Sequence, residues 1–273
     1  MNRLYAFFPW IVGMCVAAFL FVIVASASAP ADGPLGMPIE SLARIPVSAS
    51  GRTKPLDTFA RNSLLKISGR QSFEADGGER RPAIEWLLEV WTKPQLAQQR
   101  RVFRIDHPDV LSLLGINAPG RTRFSWKEIE PKLNEIERQS QLASQLPSKK
   151  QDPFQRQVIA LFQKLIDYSE LQSLSNPYMV APLEANEEWV PLINPKTGTF
   201  QTGRASADAL KGILSAYAGD DVTTVRRLVS AYHDGLGVKL ASVEQAGEYE
   251  VLLNRCEPFY QASILYVLAF LIG

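Results

Sequence analysis

The chain has 273 residues, and 29 basic against 28 acidic side chains leave a formal net charge of +1. A balance that close supplies no field for a polyanion, so no nucleic-acid partner is expected. Two cysteines and two histidines exclude a disulfide framework, a CxxC redox pair and a dedicated zinc site, while 18 prolines and 17 glycines fit a folded, loop-punctuated chain with a real core.

Residues 5–27 form an almost unbroken apolar run. A hydrocarbon core about 30 Å thick needs roughly 20 helical residues to cross, so this run can span. Two readings stay open for it. Arg3 and the amino terminus resemble the basic region of a signal peptide, and Ala25-Ser26-Ala27-Ser28-Ala29 offers small residues for cleavage. The apolar stretch nevertheless exceeds the ~7 to 15 residues of a signal's hydrophobic part, which favours a retained anchor. Arg3 then lies in the cytoplasm and the body of the chain outside it. The expected organisation is a transmembrane anchor at 1–28, a linker at 29–44, a mainly helical extracytoplasmic domain with a minor β and loop region at 45–257, and the start of a second, truncated transmembrane helix at 258–273. Cys15 and Cys256 fall in or beside the apolar ends and are read as small buried hydrophobes.

After the linker, residues 45–49 read as a short extended stretch turning at Ser50-Gly51. Pro55 is placed to open a helix in which Leu56, Phe59, Ala60, Leu64 and Ile67 share one face, and Gly69 to close it in the left-handed conformation. The result is a strand-turn-helix element. Pro82 opens a helix over 83–91, Asp106 caps a short one ending near Gly115, and Ser125 to Glu128 is a capping box with Phe124 and Ile129 as its hydrophobic staple. Asp152-Pro153 starts the longest periodic segment, expected to pair with the preceding helix as an αα-hairpin. Residues 177–202 break into loops with a turn at 195–198 and one small hairpin. Helices resume at 206–217 and 221–233, and a last one, capped at Ser242, runs toward Pro258.

The densest polar cluster is Arg52, Lys54, Asp57, Thr58 and Arg61, within the first soluble helix and its approach. On physics alone Asp57 and Arg61, four apart, are an exposed ion pair on a solvated face, worth ~0.3 to 0.5 kcal/mol. A second reading makes Arg52, Lys54 and Arg61 a site for a carboxylate or for a partner's acidic loop. In a third, Asp57 and Arg61 pair in the interior, where removing one strands the other. His107, in Asp106-His-Pro-Asp109, is a cap or surface residue first and a weak haem-ligand candidate second; His233, near the expected end of a helix, suits the helix dipole. No nucleophile, phosphate-loop or metalloprotease pattern occurs, so no catalytic residue and no metal site are assigned.

The stretch from Ile45 through Pro46-Val47, Gly51-Arg52, Lys54-Pro55-Leu56-Asp57-Thr58-Phe59-Ala60-Arg61 resembles the signature ahead of the membrane core in large CcsA/ResC-type proteins of system II cytochrome c biogenesis. Glu187-Glu-Trp189, Tyr217-Ala-Gly-Asp220, residues 249–254, Pro258-Phe259 and residues 265–270 are similar to that family's approach to its next transmembrane helix. The resemblance implies a domain of a haem delivery and attachment complex in the bacterial plasma membrane, with a ResB-like subunit and apocytochrome c as partners. Haem is implied for the complete family protein and no cofactor for this stretch. The family's tryptophan-rich WGxxWxWD segment is not matched by Trp10, Trp86, Trp91, Trp126 or Trp189. The expected role is therefore docking or positioning. The alternative is a membrane-tethered structural module of an unrelated complex.

Overall fold

The computed structural model describes residues 2–28, 32–184 and 187–272. In chain order the elements are α1 (Asn2–Ser28), α2 (Ile39–Ala43), the hairpin β1 (Pro46–Ala49) and β2 (Arg52–Pro55), α3 (Leu56–Ser68), the hairpin β3 (Ser72–Glu74) and β4 (Arg80–Pro82), α4 (Ala83–Thr92), α5 (Pro94–Ala97), β5 (Phe103–Arg104), α6 (Pro108–Leu114), β6 (Arg123–Phe124), α7 (Trp126–Ile129), α8 (Leu133–Ser144), α9 (Pro153–Gln172), α10 (Ala205–Ala218), α11 (Val222–Cys256) and α12 (Pro258–Ile272). The fold is mainly α, as the periodicity predicts, with three two-stranded antiparallel ladders among the described residues.

Within α1, Trp10–Ser28 is long and apolar enough to cross a membrane, with a mean hydropathy of 2.5. It is the one such helix among the described residues. Helix α12 is described over 15 residues, about 22 Å at 1.5 Å per residue.

The core joins α3, α4, α9, α10 and the first arm of α11. Its largest fully buried side chains are Trp86, Tyr168, Phe103 and Phe124. The Tyr168 ring stacks on Trp126 at 5.2 Å and meets Phe103 edge-on at 5.3 Å, so α4, α7, α9 and the β5–β6 ladder converge on one aromatic cluster. Met37, Ile39, Leu42 and Ala43 are buried in the same core, and α2 lies inside the expected linker. The packed body therefore starts before residue 45, because apolar side chains at Ile39 and Leu42 fold the approach against α3 and α4. Residues 29–31 of that linker, including Ala29 of the cleavage stretch, lie outside the described residues.

Several expected boundaries move. The extended stretch before α3 is a full hairpin, because Ser50 (φ 55°) and Gly51 (φ 79°) form the doubly left-handed turn whose twist suits two antiparallel strands. Pro55 sits just outside α3 in extended geometry, and Gly69 (φ 68°) closes it as expected. Helix α6 is capped by His107 rather than Asp106: the His107 Nδ1 accepts the Asp109 N–H at 3.3 Å. The expected capping box at Ser125 is present but opens only α7; Pro131 sits in a tight turn after it, and the separate helix α8 is the one that packs along α9, which Asp152 opens with a capping box of its own. Residues 177–202 carry two small bridges, Val180 with Val190 and Ile193 with Phe200.

The largest change is in α11. The two expected helices are one run bent at Leu240 (φ −127°, ψ 32°), with Ser242 inside the second arm instead of capping it and His233 well inside the first. No proline stands at the bend; Gly235 and Gly237 just before it weaken the helix locally.

Candidate functional site

The β1–β2 hairpin delivers the polar cluster to one edge of the domain, and the second arm of α11 lies against it. Along β2, Arg52 is exposed, Thr53 half-buried and Lys54 buried opposite Val47; Arg52 and Lys54, two apart, share one face of the strand, and burial deepens from the turn toward α3, so the two cations meet different environments.

The Arg52 guanidinium donates both terminal N–H groups to Glu250, at 3.0 Å to Oε2 and 2.9 Å to Oε1. Burial pushes the Glu250 carboxyl up, but the bonds from Arg52 and Thr58 and the charges of Arg52 and Lys54 outweigh it and hold Glu250 below the ordinary range. One turn into α3, Asp57 Oδ2 accepts from Arg61 Nε at 2.8 Å and from Asn254 Nδ2 at 3.0 Å. The same Asn254 nitrogen donates to Thr58 Oγ1 at 2.8 Å. The Arg61 and Asp57 side chains are only 14% and 5% exposed, so the solvated-face reading does not describe them. Of the three sequence readings, interior pairing matches the geometry of Asp57 and Arg61. Arg52, Asp57, Thr58 and Arg61 thus bind α11 to the hairpin and α3.

Lys54 is different. It is 8% exposed, and no hydrogen bond or close ion pair engages its ammonium among the described residues. Burial, then Arg52, push its pKa down against the weaker pull of Glu250. Its side chain lines a cavity of about 310 Å³ together with Asn62, Ser63, Lys66, Asp167 and Glu170, between α3 and α9. It also borders a smaller cleft of about 170 Å³ against α11. A buried cation without a close counter-ion is costly to keep, and the acidic side chains on the cavity wall, Asp167 and Glu170, make no hydrogen bond to it.

The histidines are committed elsewhere. His107 caps α6 and sets its ring against Phe154 at 6.4 Å. His233 Nε2 donates to the Ser41 carbonyl at 2.9 Å, and its Nδ1 meets Glu244 Oε1 at 2.6 Å across the α11 bend. Among the described residues no group of His, Cys, Asp and Glu side chains could hold a metal ion.

Beside this site lies a juxtamembrane layer. Arg44 bonds Glu248 at 3.0 Å and also Glu40; Arg255 reaches Glu40 at 3.3 Å and donates to the Ala27 carbonyl at 3.0 Å, joining the end of α1 to the last turn of α11. Sequence reasoning missed the α11 side of both clusters. The signal was available: Glu244 and Glu248 are four apart on one stripe of the helix, and Glu250, Asn254 and Glu257 recur at i, i+4, i+7 on another, with acids opposite in sign to the cations of the hairpin and α3.

No protein-family profile matches the chain. Among curated proteins it is similar to Protein NrfI of Wolinella succinogenes, at 24% identity over 231 residues. The match takes in 81% of this chain and 25% of that relative, so the chain spans about a quarter of the length of the curated relative it matches.

Proposed function

We propose that this chain is the membrane-anchored helical domain of a system II cytochrome c maturation protein, acting by docking and not by catalysis. The observation that carries this reading is the likeness to NrfI, on a chain whose Arg52 to Arg61 stretch also resembles the CcsA/ResC signature. The anchor α1 sets the helical body against the bacterial plasma membrane, on its extracytoplasmic side. A ResB-like subunit and apocytochrome c are the partners in this reading.

Within the signature the work divides. Arg52, Asp57, Thr58 and Arg61 hold α11 in place, and Lys54 receives one carboxylate, from an acidic side chain of a partner or from a propionate. The scheme assigns haem no axial ligand: both ring nitrogens of His233 are engaged, and His107 serves as a helix cap through its Nδ1. No step is routed through haem.

The test is Lys54→Met in the full-length protein, scored by mature holocytochrome c in cells and by melting of the purified chain. Methionine keeps much of the length and removes the buried charge, so melting temperature should rise by several degrees for ~1 kcal/mol gained. Maturation should fall about tenfold or more. Normal maturation with raised stability would exclude the docking role of Lys54. It would favour the second reading, a structural module, to which the engagement of the other four signature residues by α11 already lends support.

A further inference from the structure

A second site, independent of Lys54, lies where the domain meets the apolar helix α12. A groove of about 810 Å³ runs between the end of α3, the β3–β4 hairpin and the α11–α12 junction. One wall carries Arg61, Arg70 and Arg80; the other carries Leu253, Phe259 and Tyr260. Arg61 is spent on Asp57, with Glu257 at 3.9 Å. No hydrogen bond or ion pair engages Arg70 or Arg80 among the described residues, and both are exposed. Arg70 also adds to the positive field on that side: Arg123 is pushed down by burial first, then by Arg70 and Arg104.

The opposite wall is apolar and faces outward. Phe259 is 89% exposed, and Tyr260 and Leu253 are exposed beside it. Leu253 lies in the last turn of α11, and Phe259 and Tyr260 open α12, within a few residues of Arg255, which grips the Ala27 carbonyl at the end of the candidate membrane span. The groove therefore sits at the level where both apolar helices leave the domain. Aromatic side chains favour that headgroup level, and arginines there reach for phosphate.

We propose that this groove binds a phospholipid of net negative headgroup charge, with its phosphate on Arg70 and Arg80 and its acyl chains against Leu253 and Phe259. The occupant follows from two features together: unpaired guanidinium groups suit a phosphate oxygen pair, and the adjoining wall is continuous with the membrane-entering helix. Glu257, the acid in the groove, faces Arg61 and leaves the two free arginines in excess.

The experiment uses the full chain, reconstituted into vesicles of phosphatidylcholine with or without phosphatidylglycerol, then re-extracted gently for native mass spectrometry of retained lipid. Wild type should retain phosphatidylglycerol preferentially, and the double variant Arg70→Glu, Arg80→Glu should lose that preference about tenfold or more, with an unchanged melting temperature. If the charge-reversed protein melts early, the neutral pair Arg70→Gln, Arg80→Gln decides, and it too should lose most of the preference. Equal retention of the two lipids by wild type, or the same preference in wild type and the Gln pair, overturns the proposal. So does inorganic phosphate binding to the delipidated chain as tightly and with the same arginine dependence, which would mark a free-anion site. An acidic peptide competing where phosphatidylglycerol does not would mark a protein-docking site and likewise overturn it.

Discussion

At the residue scale, burial decides which charges are structural and which are available. Glu85 on α4 is 6% exposed, and its carboxyl is pushed up to about 7, by burial first, against Arg81 and with Glu89 adding to the rise. A carboxyl raised above its ordinary 4.5 contributes stability that is fully present below that value and is lost as pH rises through about 7. Glu85→Gln keeps the neutral shape and removes the loss. Its unfolding free energy should therefore match wild type near pH 4.5 and exceed it above pH 7, by an amount on the order of 2 kcal/mol. Equal stability of the two proteins at pH 8 would mean that Glu85 ionises freely in place. The neighbouring Glu89 is handled differently: Arg100 meets it with bonds of 2.7 and 2.8 Å, a paired arrangement that a local reading of α4 could not separate from Glu85.

At the element scale, the second arm of α11 is the clamp that turns a hairpin and a helix into a rigid edge. The bend at Leu240 aims that arm back across β2 and α3, and the His233–Glu244 contact ties the two arms together. Arg61→Glu would place a carboxylate beside buried Asp57 with no cation between them and leave Asn254 as its remaining side-chain donor among the described residues. The expected cost is about 3 to 5 kcal/mol, far above the fraction of a kcal/mol for an exposed pair. Urea denaturation of the purified chain measures it; a change under 1 kcal/mol would return Asp57 and Arg61 to the solvated class. Asp57→Asn combined with Arg61→Leu, which removes both charges, should cost much less than Arg61→Glu alone, since nothing charged is then left stranded.

At the scale of the whole molecule, the end of α1 is held by the Arg44, Glu40 and Arg255 layer, so the body stands on one side of any membrane that α1 crosses. The proposed side is extracytoplasmic. With Cys15 and Cys256 replaced by serine, Ser148→Cys puts one thiol on an exposed turn between α8 and α9. A membrane-impermeant maleimide should label it in intact cells once any outer permeability barrier is opened. Labelling only after the cytoplasm is opened would reverse the topology.

Local chemistry was enough for the elements whose signals are local. Hydropathy marked α1, the capping box marked α7, Asp152-Pro153 marked the start of α9, and Gly69 and Gly115 marked the ends of α3 and α6, because side-chain oxygens and left-handed glycines act on their own turn of backbone. The signature from Arg52 to Arg61 could be found as a cluster, but its division of labour could not be read. Arg52, Asp57 and Thr58 owe partners to residues about two hundred positions away on α11, and the isolation of Lys54 follows from packing between α3, α9 and that same arm. Sequence spacing encodes which residues share a face; which face meets which, and so which cation keeps its water, a carboxylate or neither, is set only when the bent helix closes on the hairpin.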